Sequence, residues 1–133
     1  MPEAVIFKYL NKTHTVYFTQ PNALLPVKLS NEQIRLVTWG RRQSENSEMP
    51  LGGWARLNSI QERKWQLYRA RPVRIPLTRF MEVDFEGNCH WYDLTKDQWV
   101  QGLLAKSENE YRIYIVTITP QAHDVYHDRF LKN

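Results

Sequence analysis

Two segments far apart in this sequence carry side chains that can move protons. Glu82 lies within Phe80-Met81-Glu82, and His127 lies within Tyr126-His127-Asp128-Arg129 near the end of the chain. Histidine titrates close to neutral pH, and a carboxyl group placed within hydrogen-bond reach can exchange protons in the same range. Glu82 and His127 are therefore a candidate acid/base pair, provided that the fold brings them together.

The surroundings of Glu82 depend on which face of its strand is buried. Side chains alternate along a strand, so Phe80 and Glu82 share one face and Met81 and Val83 share the other. If the Met81 face is in the core, Glu82 faces water. If Phe80 faces the core, Glu82 is half-buried and its pKa should rise. The sequence leaves both arrangements open.

Other reactive side chains give weaker signals. Cys89 is the single cysteine, which excludes an intrachain disulfide, and a cysteine in a strand is usually inert packing. His123 and His127 are four residues apart, a metal-ligand spacing only if this stretch is helical, and no third ligand follows at a suitable spacing. We therefore expect neither a metal nor another cofactor.

Length and composition predict a single domain over residues 1–133. Lysine and arginine number 18 against 14 acidic residues, a net charge of +4, and aromatic residues make up 13% of the chain. Basic and aromatic side chains together are typical of surfaces that bind single-stranded nucleic acid, although a β-rich core also favours aromatics. The chain has neither a signal-peptide layout nor a membrane-spanning stretch, so we expect a cytoplasmic protein with no membrane partner.

The positioning elements predict an α+β fold with a mostly antiparallel curved sheet, or a barrel-like β core, and one main helix. About eight short strands alternate with turn signals, and two of the turns, Asn11-Lys12 and Glu86-Gly87-Asn88, predict hairpins. The helix is predicted over Leu57 to Arg69, where apolar side chains recur on one face, and Pro72 stops it from continuing. The polar segment Arg41 to Gly53 is predicted to be a mobile loop.

Five short motifs, in order and spacing from about Leu25 to Phe130, resemble the SOS-response-associated peptidase (SRAP) family. They are Trp39-Gly40; Ala55-Arg56 before a helix; Ile75-Pro76 followed by Phe80-Met81-Glu82; Gly102-Leu103; and Val116-Thr117 leading to His127-Asp128-Arg129.

The resemblance implies a partner and roles for several residues. In that family an N-terminal cysteine reacts with the ring-opened aldehyde of an abasic site in single-stranded DNA, assisted by an asparagine, a glutamate and a histidine. By resemblance, Glu82 and His127 match the assisting acid/base residues. Arg56 and Arg129 match positions near DNA phosphate.

This chain departs from the family pattern where the covalent chemistry takes place. Residue 2 is Pro2 rather than cysteine, Trp54 stands in place of the asparagine, and Thr78-Arg79 replaces Asp-Gly. A thiazolidine cannot form on Pro2. Whether the protein is an enzyme is therefore left open by the sequence.

The first hypothesis is an SRAP-like protein that binds single-stranded or abasic DNA with reduced or altered catalysis. A basic groove would be formed by Arg41, Arg42, Arg56 and Arg129, and Trp54 would act as a stacking platform for bases.

Two alternatives remain. Removal of methionine before Pro2 would expose a secondary amine that can attack the aldehyde of an abasic site. Formamidopyrimidine-DNA glycosylases use such a proline and begin with the run Met-Pro-Glu that this chain shares at Met1-Pro2-Glu3. Alternatively, the chain is a catalytically inactive protein-interaction module that keeps the fold.

Overall fold

The computed structural model describes residues 1–118 and 131–132, and this part of the chain is mostly β-strand. In chain order the elements are β1 Pro2–Tyr9, β2 Lys12–Tyr17, β3 Leu24–Lys28, β4 Ile34–Thr38, β5 Trp54–Arg56, α1 Leu57–Gln61, a 3-10 helix Gln66–Tyr68, β6 Arg71–Ile75, β7 Arg79–Val83, β8 Cys89–Asp93, β9 Trp99–Ser107, β10 Glu110–Thr117 and β11 Leu131–Lys132. The strands form a four-stranded sheet in the order β2-β1-β7-β8 and a larger sheet in the order β4-β3-β6-β9-β10-β5, with β11 beside β9.

Antiparallel pairing dominates, as the sequence predicted, and β5 with β10 is the parallel pair among these strands. The expected barrel-like closure is wrong, because both sheets have open edges. Pro76 follows β6 and cannot donate to a ladder. The chain then crosses to the smaller sheet, where the backbone N–H of Thr78 donates to the carbonyl of Ile6. One isolated bridge between Trp39 and Ile113 brings the end of β4 to β10 without forming a ladder.

The two sheets enclose the main hydrophobic core. Alternation along β10 directs Ile113 and Ile115 into this core, whereas Tyr114 and Val116 point to a second cluster on the far side of the larger sheet. Val5, Phe7 and Phe80 belong to the main core and come from the smaller sheet. The second cluster is covered by α1 and the 3-10 helix, so the molecule has a sheet–sheet–helix layering.

The predicted main helix from Leu57 to Arg69 is wrong in length. The α-helix ends at Gln61, because Arg63 adopts a left-handed backbone conformation with φ of 64°, and a short 3-10 helix follows. No side chain caps the start of α1, and so short a helix depends on tertiary packing. Trp65 provides it by packing against Tyr114 at 4.8 Å between ring centroids.

Most of the predicted apolar stripe still faces the protein. Leu57, Ile60, Trp65 and Tyr68 pack on the second cluster, whereas Leu67 is 83% exposed because the backbone leaves α-helical geometry before reaching it. No helix in the described ranges is long and apolar enough to cross a membrane.

The two predicted hairpins are formed. The first turns at Leu10 and Asn11, both with positive φ, so that β1 pairs with β2 along its length. The second turns at Glu86-Gly87-Asn88 and pairs β7 with β8. This second hairpin fixes which residues of β8 lie beside Glu82.

Candidate functional site

Pro2 and Glu82 are neighbours across the β1–β7 pair. Their Cα atoms are register partners, with a β-bulge between Pro2 and Ala4, a place where a residue without an N–H is tolerated. Phe80 belongs to the main core, so the arrangement that buries Glu82 is the one that forms, and its side chain is 0% exposed. The nitrogen of the Met1 ammonium group lies 3.7 Å from Glu82 Oε2. An amine and a buried carboxylate thus meet at the start of β1.

Trp54 joins the same place from β5. Its indole Nε1–H donates to the carbonyl oxygen of Pro2 at 2.7 Å, so the ring is held against the first residue of β1. The ring centroid is 4.8 Å from that of Phe18 and 6.2 Å from that of Trp39. Trp54 is half-buried, and its position is therefore set by packing and by one hydrogen bond.

Glycines allow this aromatic cluster to form. A Cβ atom at Gly53 would lie 2.7 Å from both the Phe18 ring and Trp39 Nε1. The indole of Trp39 donates to the carbonyl of Gly53 at 3.0 Å. Small residues beside Trp54 let the three rings approach the β5 backbone closely.

Arg42 adds a guanidinium group to the cluster. Its guanidinium lies 4.4 Å from the centroid of the Phe18 ring, and its Nε–H donates to the Phe18 carbonyl at 2.9 Å. Arg41 and Arg42 line a cleft of about 500 Å³ beside Phe18. The rings of Trp54 and Phe18 and the guanidinium of Arg42 are therefore in continuous contact.

The arginines at positions 41 and 42 also hold the loop that follows them. Arg41 donates to the carbonyls of Glu45 and Met49, and Arg42 donates to the Glu45 carboxylate at 3.1 Å. Arg112 of β10 donates to the same carboxylate at 2.7 Å. The loop predicted to be mobile is thus anchored at several points, and both arginines have structural roles beside the cleft.

The carboxyl of Glu45 is the centre of this anchoring. Burial favours its neutral form, but the backbone N–H of Arg42 and the side chains of Arg112 and Arg42 outweigh that effect and lower its pKa to about 2. Glu45 is therefore ionised throughout the physiological range, and it neutralises positive charge beside the cleft.

Arg56 lies two residues after Trp54 on β5, so the two side chains leave the strand on the same side. Arg56 is exposed. The remaining predicted site residues, His127 and Arg129, lie outside the described residues, and so does His123. The convergence of Glu82 with His127 therefore stays a prediction.

A second imidazole, which the sequence reasoning missed, lies beside Glu82. His90 of β8 is the register partner of Glu82, and His90 Nε2 is 2.7 Å from Asp84 Oδ2. Directly paired residues share a face of the sheet, so Pro2, Glu82 and His90 form one row across three strands. Pairing the predicted hairpin residue by residue across Glu86-Gly87-Asn88 would have found this neighbour.

Asp84 is a fixed partner for that imidazole. The hydrogen bond from His90, followed by the backbone N–H groups of Asn88 and Glu86, lowers the Asp84 pKa to about 2. The carboxylate is therefore ionised, accepts on both oxygens, and orients the ring of His90. Cys89 is exposed next to this pair, and no cluster of three metal-ligating side chains occurs within residues 1–118.

This arrangement offers two kinds of chemistry in one region. An amine beside a buried carboxylate can react with a carbonyl group and exchange protons. An aromatic ring beside a guanidinium can stack on a base and contact phosphate.

No protein-family model, curated protein or solved structure matches this chain.

Proposed function

We propose that this protein binds single-stranded DNA and recognises abasic sites where the half-buried Trp54 lies beside the buried residues Pro2 and Glu82. We call this place the Pro2–Trp54–Glu82 surface. The observation that carries the proposal is the hydrogen bond from Trp54 to Pro2, which places an aromatic ring beside the Pro2–Glu82 pair. These are positions that match functional residues in the SRAP resemblance, and an SRAP-like relationship is part of the proposal.

Each group has a role in this function. Trp54 and Phe18 offer ring surface to bases next to the lesion, and stacking of this kind contributes about 1–3 kcal/mol per base. Arg42 and Arg56, with Arg41 and Arg129, contact phosphates of the strand. The baseless sugar is assigned to the start of β1, next to the buried residues Pro2 and Glu82, because it lacks the bulk of the base that an intact nucleotide carries.

Fluorescence anisotropy with two short single strands tests the proposal. The strands share one sequence, and one carries a tetrahydrofuran abasic analogue at its centre. We expect tighter binding of the abasic strand, binding that weakens with salt, and loss of about 1–3 kcal/mol in Trp54→Ala. Trp54→Phe should keep most of the affinity, because it retains the ring and loses only the bond to Pro2.

Trp91→Ala is the matched control. Trp91 lies on the face of β8 opposite to His90, and its ring centroid is 5.1 Å from the guanidinium carbon of Arg79. Equal affinity of both strands, together with equal effects of Trp54→Ala and Trp91→Ala, would contradict the proposal. Circular dichroism shows whether each variant is folded.

A second candidate, an enzyme that forms a covalent adduct through Pro2, is favoured by the 3.7 Å separation between the Met1 nitrogen and Glu82 Oε2. Where Met1 is removed, the Pro2 amine becomes the terminal group beside this carboxyl. The neutral amine nitrogen attacks C1′ of the ring-opened sugar and loses its proton, while the aldehyde oxygen gains one, and a carbinolamine forms. The carbinolamine hydroxyl accepts a second proton and leaves as water, and an iminium ion remains.

Borohydride reduction tests this chemistry, because hydride transfer to the iminium carbon gives a stable tertiary amine. Intact-mass measurement first establishes which residue is terminal. We expect an adduct with natural abasic single-stranded DNA, mapped to Pro2, and no adduct when a tag precedes Pro2. An adduct that persists with the tag would remove Pro2 from the reaction.

A further inference from the structure

Two positively charged residues lie opposite each other in the β3–β6 pair, and this arrangement does not stabilise the fold. Lys28 and Arg74 are direct register partners, and like charges at directly opposed positions destabilise a sheet. Two clefts, of about 420 and 370 Å³, adjoin here and share both residues. Arg71 lines the first cleft and Lys96 lines the second. We call these four residues and their two clefts the basic cleft.

The basic cleft carries an excess of positive charge, because its four cations share the lining with two acidic residues, Glu32 and Asp97. In the described ranges no carboxylate lies within ion-pair distance of Arg71, Arg74 or Lys96, whereas Lys28 pairs with Glu32 at 3.0 Å. The Glu32 side chain is 72% exposed, and an exposed pair of this kind is weak. By contrast, Arg42 and Arg112 both bind Glu45.

An aromatic ring lies within the same cleft. The guanidinium of Arg74 is 4.2 Å from the centroid of the Trp99 ring, and Trp99 lines the second cleft. This distance is that of a cation–π contact, and Arg74 is itself exposed to solvent. A guanidinium held in such a contact can bind phosphate at its edge and stack on a base.

We propose that the basic cleft binds the phosphate backbone of single-stranded nucleic acid, at a site distinct from the Pro2–Trp54–Glu82 surface. Charge complementarity selects a polyanion, and the Arg74–Trp99 stack selects a strand whose bases are unpaired. The cleft makes no distinction between intact and abasic strands, because backbone phosphates are the same in both. The basic-cleft proposal extends the proposed function, and it rests on that function only for the statement that the bound strand is DNA.

The test measures the affinity of an intact single strand for the full chain over a range of about 50–200 mM salt. The variant Lys28→Gln/Arg74→Gln/Lys96→Gln removes three cleft cations. Each phosphate contact of a single strand contributes about 0.7 to the slope of log K against log salt, so we expect the slope to become shallower by about 2. At the low-salt end the affinity should fall by about tenfold or more.

The matched control is Lys8→Gln/Lys12→Gln/Arg63→Gln, which removes two exposed lysines and one exposed arginine outside the basic cleft. It changes the net charge equally and should leave the slope nearly unchanged. Equal slopes and affinities for the two triple variants would overturn the proposal, and so would a preference for duplex DNA that the cleft variant abolishes.

The experiment separates this proposal from the proposed function. Suppose that the protein does not prefer the abasic strand, or that Trp54→Ala has no effect, but the cleft variant still has a shallower slope of log K against log salt. The proposed lesion site is then wrong and the basic cleft is supported. If Trp54→Ala weakens binding but the cleft variant has the same affinity and slope as its control, the lesion site is supported and the basic cleft is wrong. Absence of single-strand binding by the unmodified protein overturns both.

Discussion

At the scale of single residues, strand register places two groups that can exchange a proton, Glu82 and His90, in one row with Pro2. The sequence predicted that Glu82 would lie beside a histidine, but the predicted histidine was His127 rather than His90. The structure adds His90 because strand register, rather than distance along the chain, decides which side chains are adjacent.

The Asp84–His90 pair predicts a measurable titration. Carbon-detected NMR of the Asp84 carboxyl should show a pKa of about 2. In His90→Gln the hydrogen bond from the imidazole is lost and the pKa of Asp84 should rise towards the ordinary aspartate value of 3.8, while the backbone N–H groups of Asn88 and Glu86 still donate. A midpoint that does not differ between the two proteins would show that His90 does not hold this carboxylate.

The sign of its effect on stability follows from the direction of this shift. The pKa of Asp84 is lower in the folded protein than in the unfolded chain, so the carboxylate stabilises the fold above about pH 4. That contribution is lost as the pH falls towards about 2. Unfolding free energies measured over this acid range should therefore decline less steeply in Asp84→Asn than in the unmodified protein.

At the scale of elements, the turn after β4 depends on a glycine that a side chain cannot replace. Gly40 has a φ of 52°, and a Cβ atom there would collide with the carbonyl oxygen of Gly52. Gly40→Ala should therefore destabilise the protein by about 3 kcal/mol or more, measured by chemical denaturation.

Gly87→Ala is the control for backbone strain. Gly87 has a φ of 87°, but a Cβ atom there would have no neighbour within 4 Å outside the adjoining residues, so the cost should be only about 1 kcal/mol. Equal losses in the two variants would mean that the close approach of Gly40 to Gly52 has no energetic weight.

The loop after Gly40 depends on Glu45. Glu45→Gln removes the carboxylate that Arg42 and Arg112 share, although Arg112 keeps its ion pair with Glu110, and should cost about 1.5–3 kcal/mol in unfolding free energy. Glu48→Gln, at an exposed position of the same loop, should change it very little. Because the Glu45 pKa is lowered from 4.5 to about 2, the difference should shrink as the pH falls through this interval. A difference that is constant with pH would exclude a charge effect.

These elements also show what the sequence can predict. Alternation and turn residues located most of the strands and both hairpins, since these signals are local, but they missed β5, which has only three residues. The length of the helix was wrong, because the left-handed conformation of Arg63 and the packing of Trp65 on Tyr114 depend on contacts distant in sequence. Charge counting pointed to Arg41 and Arg42 as DNA contacts but could not show that Glu45 binds them, because that pairing requires the folded loop.

At the scale of the whole molecule, positive charge is divided between two uses. Around Glu45 it holds a loop together, and in the basic cleft most of it has no carboxylate partner within the described residues. The two proposed contact surfaces belong to different elements, one to β1, β5 and β7 and the other mainly to β3, β6 and the segment before β9.

This separation predicts additive effects on binding. Changes at sites that share no partners usually add in free energy. The losses in log K caused by Trp54→Ala and by the cleft variant should therefore sum in the combined variant, measured by anisotropy with the abasic strand. A combined loss clearly smaller than the sum would mean that the two surfaces act as one site.

The most direct test of the central claim is a titration of the isotopically labelled protein with the abasic single strand, followed by proton–nitrogen NMR. We predict that the Trp54 indole N–H signal and the backbone amides of Glu3 and Glu82 shift, and that they shift more than with the intact strand. If those three signals stay in place while the strand binds elsewhere, the Pro2–Trp54–Glu82 surface is not the lesion site.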